Sequence, residues 1–284
     1  MLRRAMCRCF RLLLTLAHET KQSILASRGT NMSAAEMTER IAEVSPRFKA
    51  RMAGLCYLLM IPAGFGLFVR GRLVVKGDAA ATAANILAHE SLFRLAFAGD
   101  ILVVAIYVVF TALMYDLMKP VSGSVSLLAA FFSLMGCAMQ AFACLFAIAP
   151  LVILGREHYL GVFKVDQLQS LAFLSLKLYS QAYGIGLVFF AFFCLVLGYL
   201  VFKSTFLPRI LGVLLAASAL AWMTFLWPPF AAKYFRYLVV LDLGELSLVL
   251  WLLVMGVNAE RWWAQADAAE QSRLQRAARA AVRQ

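Results

Sequence analysis

The chain has 284 residues, of which 63% are hydrophobic and only 15% charged, and it carries a formal net charge of +12. A soluble domain runs at about 45–50% apolar and about 25% charged, so this composition excludes an ordinary soluble globular protein. No aromatic-and-basic recognition module accompanies the positive charge, which leaves the membrane rather than nucleic acid as its partner.

Residues 1–46 read as a basic cytoplasmic leader, either disordered or an over-extended start, with Met32 as the alternative first residue. Their one apolar patch, "FRLLLTLA", is too short to span a bilayer. "CRC" at 7–9 offers a weak lipid or metal signal. The other four cysteines, Cys56, Cys137, Cys144 and Cys194, lie in apolar runs and read as small hydrophobes.

Six continuous apolar runs follow, at about 52–69, 95–118, 124–154, 180–202, 207–226 and 238–257. About 20 helical residues cross a hydrocarbon core of about 30 Å, and lipid cannot satisfy an open backbone. The fold expected is therefore all-α, a polytopic transmembrane helical bundle over 47–258. Pro62 interrupts the first run and Pro150 lies near the end of the third.

The loops refine this outline. "KPVSGS" and "KSTFLPR" are tight turns, which makes spans two and three, and spans four and five, antiparallel neighbours. Asp78 is a good N-cap for an alanine-rich helix between spans one and two. Residues 165–181 either lie at the interface or lengthen span four. Residues 259–284 form a basic tail with helical character. Trp262 and Trp263 at its start suit an interfacial belt. With both termini inside, twice as many Lys and Arg fall on the inner side as on the outer, so the positive-inside rule favours N-in/C-in.

The charges inside these runs are the candidate site. Asp242 and Glu245 open span six, and the topology puts them in its outer third, about 6–10 Å deep at a rise of 1.5 Å per residue. Asp100 lies at a similar depth in span two. Arg70 and Arg72 end span one, Glu90 and Arg94 form an i,i+4 pair at the mouth of span two, and Lys177 precedes span four. A charge in hydrocarbon costs about 2.5–3.5 kcal/mol on insertion scales, so these residues are expected to pair in one outward-facing layer. Arginine forks would grip the carboxylates bidentately, and Gly244 would let a neighbouring helix approach Glu245. The ligand-binding set is Arg70, Glu90, Arg94, Asp100, Asp242 and Glu245.

Other chemistry lacks its residues. His18, His89 and His158 form no HxxxH or HExxH pattern, there is no P-loop and there is no GxSxG elbow. No catalytic residue, metal site or cofactor is assigned. His89 reads as a solvated loop residue, Asp116 beside Tyr115 as a solvated helix end, and Gln140 as an interhelical hydrogen-bonding group. "GFG" at 64–66 and "GIG" at 184–186 read as helix contacts.

Three stretches taken together carry a resemblance: "FVRGRLVVKGDAAATAANILAHESLFRLAFAGDIL" (68–102), "GYLVFKSTFLPRILGVLL" (198–215) and "LGELSLVLWLLVMGVN" (243–258). They resemble the bacterial integral-membrane family called domain of unknown function 4386, over about 47–258. The family pattern falls on Arg70, Gly77, Asp78, Glu90, Arg94, Asp100, Pro208, Arg209, Gly244 and Glu245. The resemblance implies the helical fold and a bacterial inner membrane, and brings no activity with it. The reading from the residues is a membrane protein whose charged cluster binds or transports a small or lipid-like ligand. Its competitors are an accessory protein whose ion pairs only fix helix packing, and an intramembrane acid/base enzyme.

Overall fold

The computed structural model describes residues 45–155 and 161–281. The expectations for the leader, "CRC", Met32, His18 and His158 lie outside the described residues. Among the described residues, six helical stretches are long and apolar enough to cross a membrane: Pro46–Leu73, Glu90–Met118, Gly123–Leu154, Val165–Lys203, Arg209–Leu226 and Pro228–Val254. They match the six expected runs, and the chain is a multi-pass helical membrane protein.

The first stretch is two helices. α1 (Pro46–Ala63) ends just after Pro62, whose ring cannot donate to the helical ladder and crowds the preceding turn. The chain turns through Gly64, whose N–H returns to the Met60 carbonyl at 2.8 Å, and resumes as α2 (Gly66–Leu73). A turn at Gly77, with φ +81°, leads into α3 (Ala79–Ala88). Asp78 caps α3 as its sequence requires, accepting from the Ala81 N–H at 2.8 Å. The Thr82 hydroxyl accepts from Val75 N–H at 3.0 Å, and the Asn85 amide donates to the Leu73 carbonyl at 3.1 Å. The α2–α3 connection is thus tied down by α3 itself.

α4 (Glu90–Met118) follows after a break at His89, then α5 (Gly123–Leu154) and α6 (Val165–Lys203). Residues 165–181 continue α6 without interruption, so they lengthen the fourth span. α7 (Arg209–Met223) ends in a single 3-10 turn at Thr224–Leu226. α4 packs on α5 and α6 on α7, the antiparallel neighbours that the tight turns predict.

The sixth stretch is also broken. α8 (Pro228–Leu238) buries only Ala231 and exposes Phe230, Tyr234 and Tyr237 with Lys233 and Arg236, and Trp227 just before it is exposed too. A 3-10 turn at Val239–Asp242 joins it to α9 (Leu243–Val254). After a turn at Gly256, α10 (Ala259–Ala281) returns along the end of the bundle.

One end of the bundle therefore gathers the start of α1, the α4–α5 and α6–α7 turns and α10; it is called the near face here. Lys49 pairs with Asp116 at 2.9 Å, Asn258 N–H reaches the Phe206 carbonyl at 3.3 Å, and Trp262 Nε1 reaches the Leu117 carbonyl at 2.8 Å. Two expectations change at this face. Trp262 is 5% exposed and sits in the main core, not in a lipid belt, because its N–H caps the end of α4. Asp116 is not merely solvated, because α1 brings Lys49 to it. The far face carries α2, α3, α8, the end of α5 and the start of α6.

The main core joins Met60, Phe110, Met114, Phe193, Leu197, Leu215 and Leu248 from α1, α4, α6, α7 and α9. Polar side chains add interhelical ties, such as Thr111 Oγ1 to Ser133 Oγ at 2.6 Å between α4 and α5. The outer surface is apolar, with Ile61, Leu95, Phe131, Leu145, Ile210 and Leu220 all exposed. In water such a surface would be a liability; against acyl chains it is the stable arrangement.

Candidate functional site

The charged residues do not share one layer. They separate into a centre around Glu245, a second around Arg70, and an exposed pair. The cause is the register of α9. Glu245 lies nine residues before Val254, roughly 13 Å from the near end of the span at 1.5 Å per residue. Its partners Tyr57 on α1 and Cys194 on α6 stand about 16 Å and about 13 Å from the near ends of their helices. Glu245 therefore sits at mid-depth. Counting the span from 238 puts Glu245 in the outer third, whereas the membrane-length stretch starts ten residues earlier, at Pro228, and includes α8 and the 3-10 turn.

Glu245 is 8% exposed. The Tyr57 hydroxyl donates to its Oε2. Its Oε1 accepts from Trp222 Nε1 at 2.9 Å and from the Cys194 thiol at 3.1 Å. Among the described residues the expected arginine partner is absent; these three donors are all uncharged. Each comes from a different helix, α1, α6 and α7, so the carboxylate ties α9 to the rest of the bundle. Trp222 Nε1 also reaches Asp242 Oδ1 at 3.1 Å, so one N–H is shared between two carboxylates. Asp242 is half-buried and lies one turn nearer the far face.

Local sequence places α9 for this contact. A Cβ on Gly244 would stand 2.5 Å from Ser218 Oγ and 2.6 Å from the Leu214 carbonyl carbon, so only glycine lets α9 lie this close to α7. The Ser218 hydroxyl then donates to the Leu241 carbonyl at 2.6 Å, satisfying backbone freed by the 3-10 turn. The close approach expected beside Glu245 is present.

The Arg70 centre lies near the far face. Arg70 is 5% exposed, and its Nη2 approaches both Asp100 oxygens, Oδ1 at 2.8 Å and Oδ2 at 2.7 Å. This is a single-nitrogen contact and not the expected two-pronged fork. The same Nη2 donates to the Tyr179 hydroxyl at 2.8 Å, and the guanidinium lies 4.5 Å from the centre of the Tyr179 ring. Arg70 Nε and Nη1 have no partner among the described residues. Gly66 makes the pair reachable: a Cβ there would meet Asp100 Oδ1 at 2.6 Å and the Ala96 carbonyl at 2.8 Å.

Along α1–α2 and along α6 the two centres are about 20 Å apart, by the 1.5 Å rise. Aromatic side chains fill the space between them. The Tyr179 and Tyr183 rings are 5.7 Å apart, Tyr183 packs on the Phe190 cluster, Phe190 and Tyr107 are 4.4 Å apart, and Tyr107 and Tyr57 are 6.5 Å apart. Gln140 borders this column, with its side chain 3.4 Å from where a Cβ of Gly186 would stand. Sequence reasoning missed Tyr57, Cys194, Trp222 and Tyr179. Each is an ordinary apolar-face residue at helical spacing, and only the helix register reveals its partner.

The remaining charges stand apart. Arg94 and Glu90 pair at 2.7 Å on the exposed surface of α4. Arg72 lies over the Phe68 ring, Lys177 over the Phe173 ring, and both are exposed. His89 Nδ1 lies 3.0 Å from the Asn85 carbonyl between α3 and α4. Among the described residues, no three His, Cys, Asp or Glu side chains are grouped so as to hold a metal ion.

Residues 52–256 match the family described as domain of unknown function (DUF4386), and the chain belongs to that family. The match runs from α1 to the end of α9 and so includes both centres. No curated protein and no solved structure matches the chain.

Proposed function

We propose that this membrane protein binds a proton at the Glu245 centre and couples it, through the packed tyrosine column, to a small or lipid-like ligand held at the Arg70 centre. The observation that carries this is a mid-depth carboxylate held by three uncharged donors. An ion pair would fix the charge permanently. Neutral donors instead allow both states: they stabilise the anion, and the Tyr57 oxygen can accept once Glu245 is protonated. Asp242 shares the Trp222 N–H, and two adjacent carboxylates hold a single proton at less cost than two charges. Asp242 is half-buried on the far side of Glu245, which makes it the group that exchanges the proton with that face.

The ligand enters this reading through Arg70. Its two unpartnered nitrogens are donors with no acceptor, and a ligand oxygen beside Asp100 and Tyr179 would satisfy them. Glu90 and Arg94 remain surface charges. The distribution of Lys and Arg along the sequence supports the positive-inside orientation with both termini cytoplasmic, and the membrane we assign is a bacterial inner membrane.

An accessory role is the second reading, and the Arg70–Asp100 pair favours it. Packed against Gly66, that pair serves equally well to fix the register of α2 on α4.

Infrared difference spectroscopy across a pH titration distinguishes the two. The wild type should gain a protonated-carboxyl band on acidification that Glu245→Gln removes and Glu90→Gln retains. A band unaffected by Glu245→Gln would refute the proton site and leave the packing role. Given the band, a pH-sensitive dye sealed in vesicles should report proton entry that Glu245→Gln abolishes.

A further inference from the structure

At the near face the end of α6, the α6–α7 turn and one side of α10 enclose an open recess of about 840 Å³. It shares no lining residue with either buried centre. Three cations line it: Lys203, the last residue of α6; Arg209, the first of α7; and Arg261 on α10. Ser204, Thr205 and Gln265 are its other polar lining residues, and among the described residues no carboxylate lines it.

The recess is built rather than accidental. Gln265 Oε1 accepts from Thr205 N–H at 3.0 Å and from the Thr205 hydroxyl at 2.8 Å, which fixes the turn on α10. With its oxygen so engaged, the Gln265 amide nitrogen is left as a donor. Arg261 is oriented by its Nη1 contact with the Thr205 carbonyl at 3.5 Å. Ser204, 4% exposed, turns its hydroxyl back to the Val201 carbonyl at 2.8 Å and ends α6.

Position decides the ligand. Lys203 and Arg209 terminate membrane-spanning helices, so the recess lies at the level of the lipid headgroups. Directly toward the membrane, Tyr199, Phe202 and Ile210 are exposed at 53%, 43% and 60%. They offer an apolar wall to acyl chains. Lys203 leans toward the Tyr199 ring and Arg209 toward the Phe202 ring, at 6.0 and 5.9 Å, so each cation stands at the boundary between wall and recess. Basic pockets at the ends of membrane helices suit anionic headgroups.

We infer that this recess binds the phosphate of an anionic phospholipid, with Lys203, Arg209 and Arg261 as its ligands and the acyl chains along Tyr199, Phe202 and Ile210. The lipid would then clamp α10 to the α6–α7 turn.

The test is native mass spectrometry of the purified full chain in neutral detergent, titrated with phosphatidylglycerol, phosphatidylcholine or inorganic phosphate. Phosphatidylglycerol should bind with a defined stoichiometry and phosphatidylcholine should not. Each cation changed to Gln should weaken phosphatidylglycerol binding about fivefold, since a basic group near an anionic surface contributes about 1 kcal/mol. Arg94→Gln, on the other face, should leave it unchanged. Should the triple variant K203Q/R209Q/R261Q fail to fold, the single variants and the loss of binding at high salt give the same reading. Equal binding of phosphatidylcholine, or single variants that bind as wild type, would overturn the site. Inorganic phosphate binding as tightly as phosphatidylglycerol would overturn its assignment to lipid.

Discussion

The Tyr57 hydroxyl donates to Glu245 across 188 residues of sequence, joining the first membrane helix to the last. Hydrogen bonds to charged groups contribute about 1.5–3 kcal/mol in water-soluble proteins, whereas intramembrane polar contacts average about 0.6 and reach about 1.7 kcal/mol. Tyr57→Phe should therefore cost about 1 kcal/mol in detergent unfolding. In a double-mutant cycle with Glu245→Leu, the coupling should also be about 1 kcal/mol. Strictly additive effects would mean that the contact carries no energy.

Gly244 and Gly71 make a paired test of helix approach. A methyl at Gly244 has no room against Leu214 and Ser218, whereas one at Gly71 meets nothing within 4 Å. Gly244→Ala should destabilise by about 2 kcal/mol or more through forced separation of α7 and α9. Gly71→Ala should be neutral, or stabilising by up to about 1 kcal/mol, because alanine is the better helix former. Thermal unfolding of the two variants in one detergent reads the contrast, and equal losses would contradict the α7–α9 contact.

Arg70 and Asp100 should behave as a buried pair, Glu90 and Arg94 as a solvated one. Removing one partner of a buried pair leaves an uncompensated charge, at a cost of about 3–5 kcal/mol. Arg70→Met and Asp100→Leu should each fall in that range, and the double variant should recover most of the loss. Arg94→Gln should change stability by about 0.5 kcal/mol or less, because its partner is exposed and screened. It should also be additive with Glu245→Gln, since the two residues belong to different groups. Non-additivity between them would restore a single charged layer.

How far the sequence speaks can be judged from these residues. The six crossings were legible because lipid permits little besides a helix, so an apolar run of span length has one meaning. Asp78 was legible because an N-cap acts on its own next turn. Gly244 was legible as a close approach, although not its partners on α7. The single charged layer was not correct, because depth was counted from where apolar runs begin. The sixth stretch takes in α8 and starts at Pro228, so Glu245 moves from the outer third to mid-depth. Its partners were hidden for another reason. Tyr57, Cys194 and Trp222 look like core residues, and what sets them apart is which helix face each presents to α9.

Trp262 offers the last test, of whether α10 is docked or merely trails along the membrane. Its indole is buried beside Trp263, with ring centres 4.8 Å apart, and its N–H donates to the Leu117 carbonyl at the end of α4. Removing a buried Trp side chain costs about 3–5 kcal/mol, so Trp262→Ala should release α10 and expose it to protease at the Gly256 turn. Trp262→Phe keeps much of the packing and loses the hydrogen bond, and should cost about 1 kcal/mol. Quenching by brominated acyl chains checks the location independently. With the other tryptophans changed to Phe, Trp262 should be shielded, whereas a residue in the lipid belt would be quenched strongly. Strong quenching together with an unchanged protease pattern in Trp262→Ala would place α10 on the lipid surface and remove one wall of the basic recess.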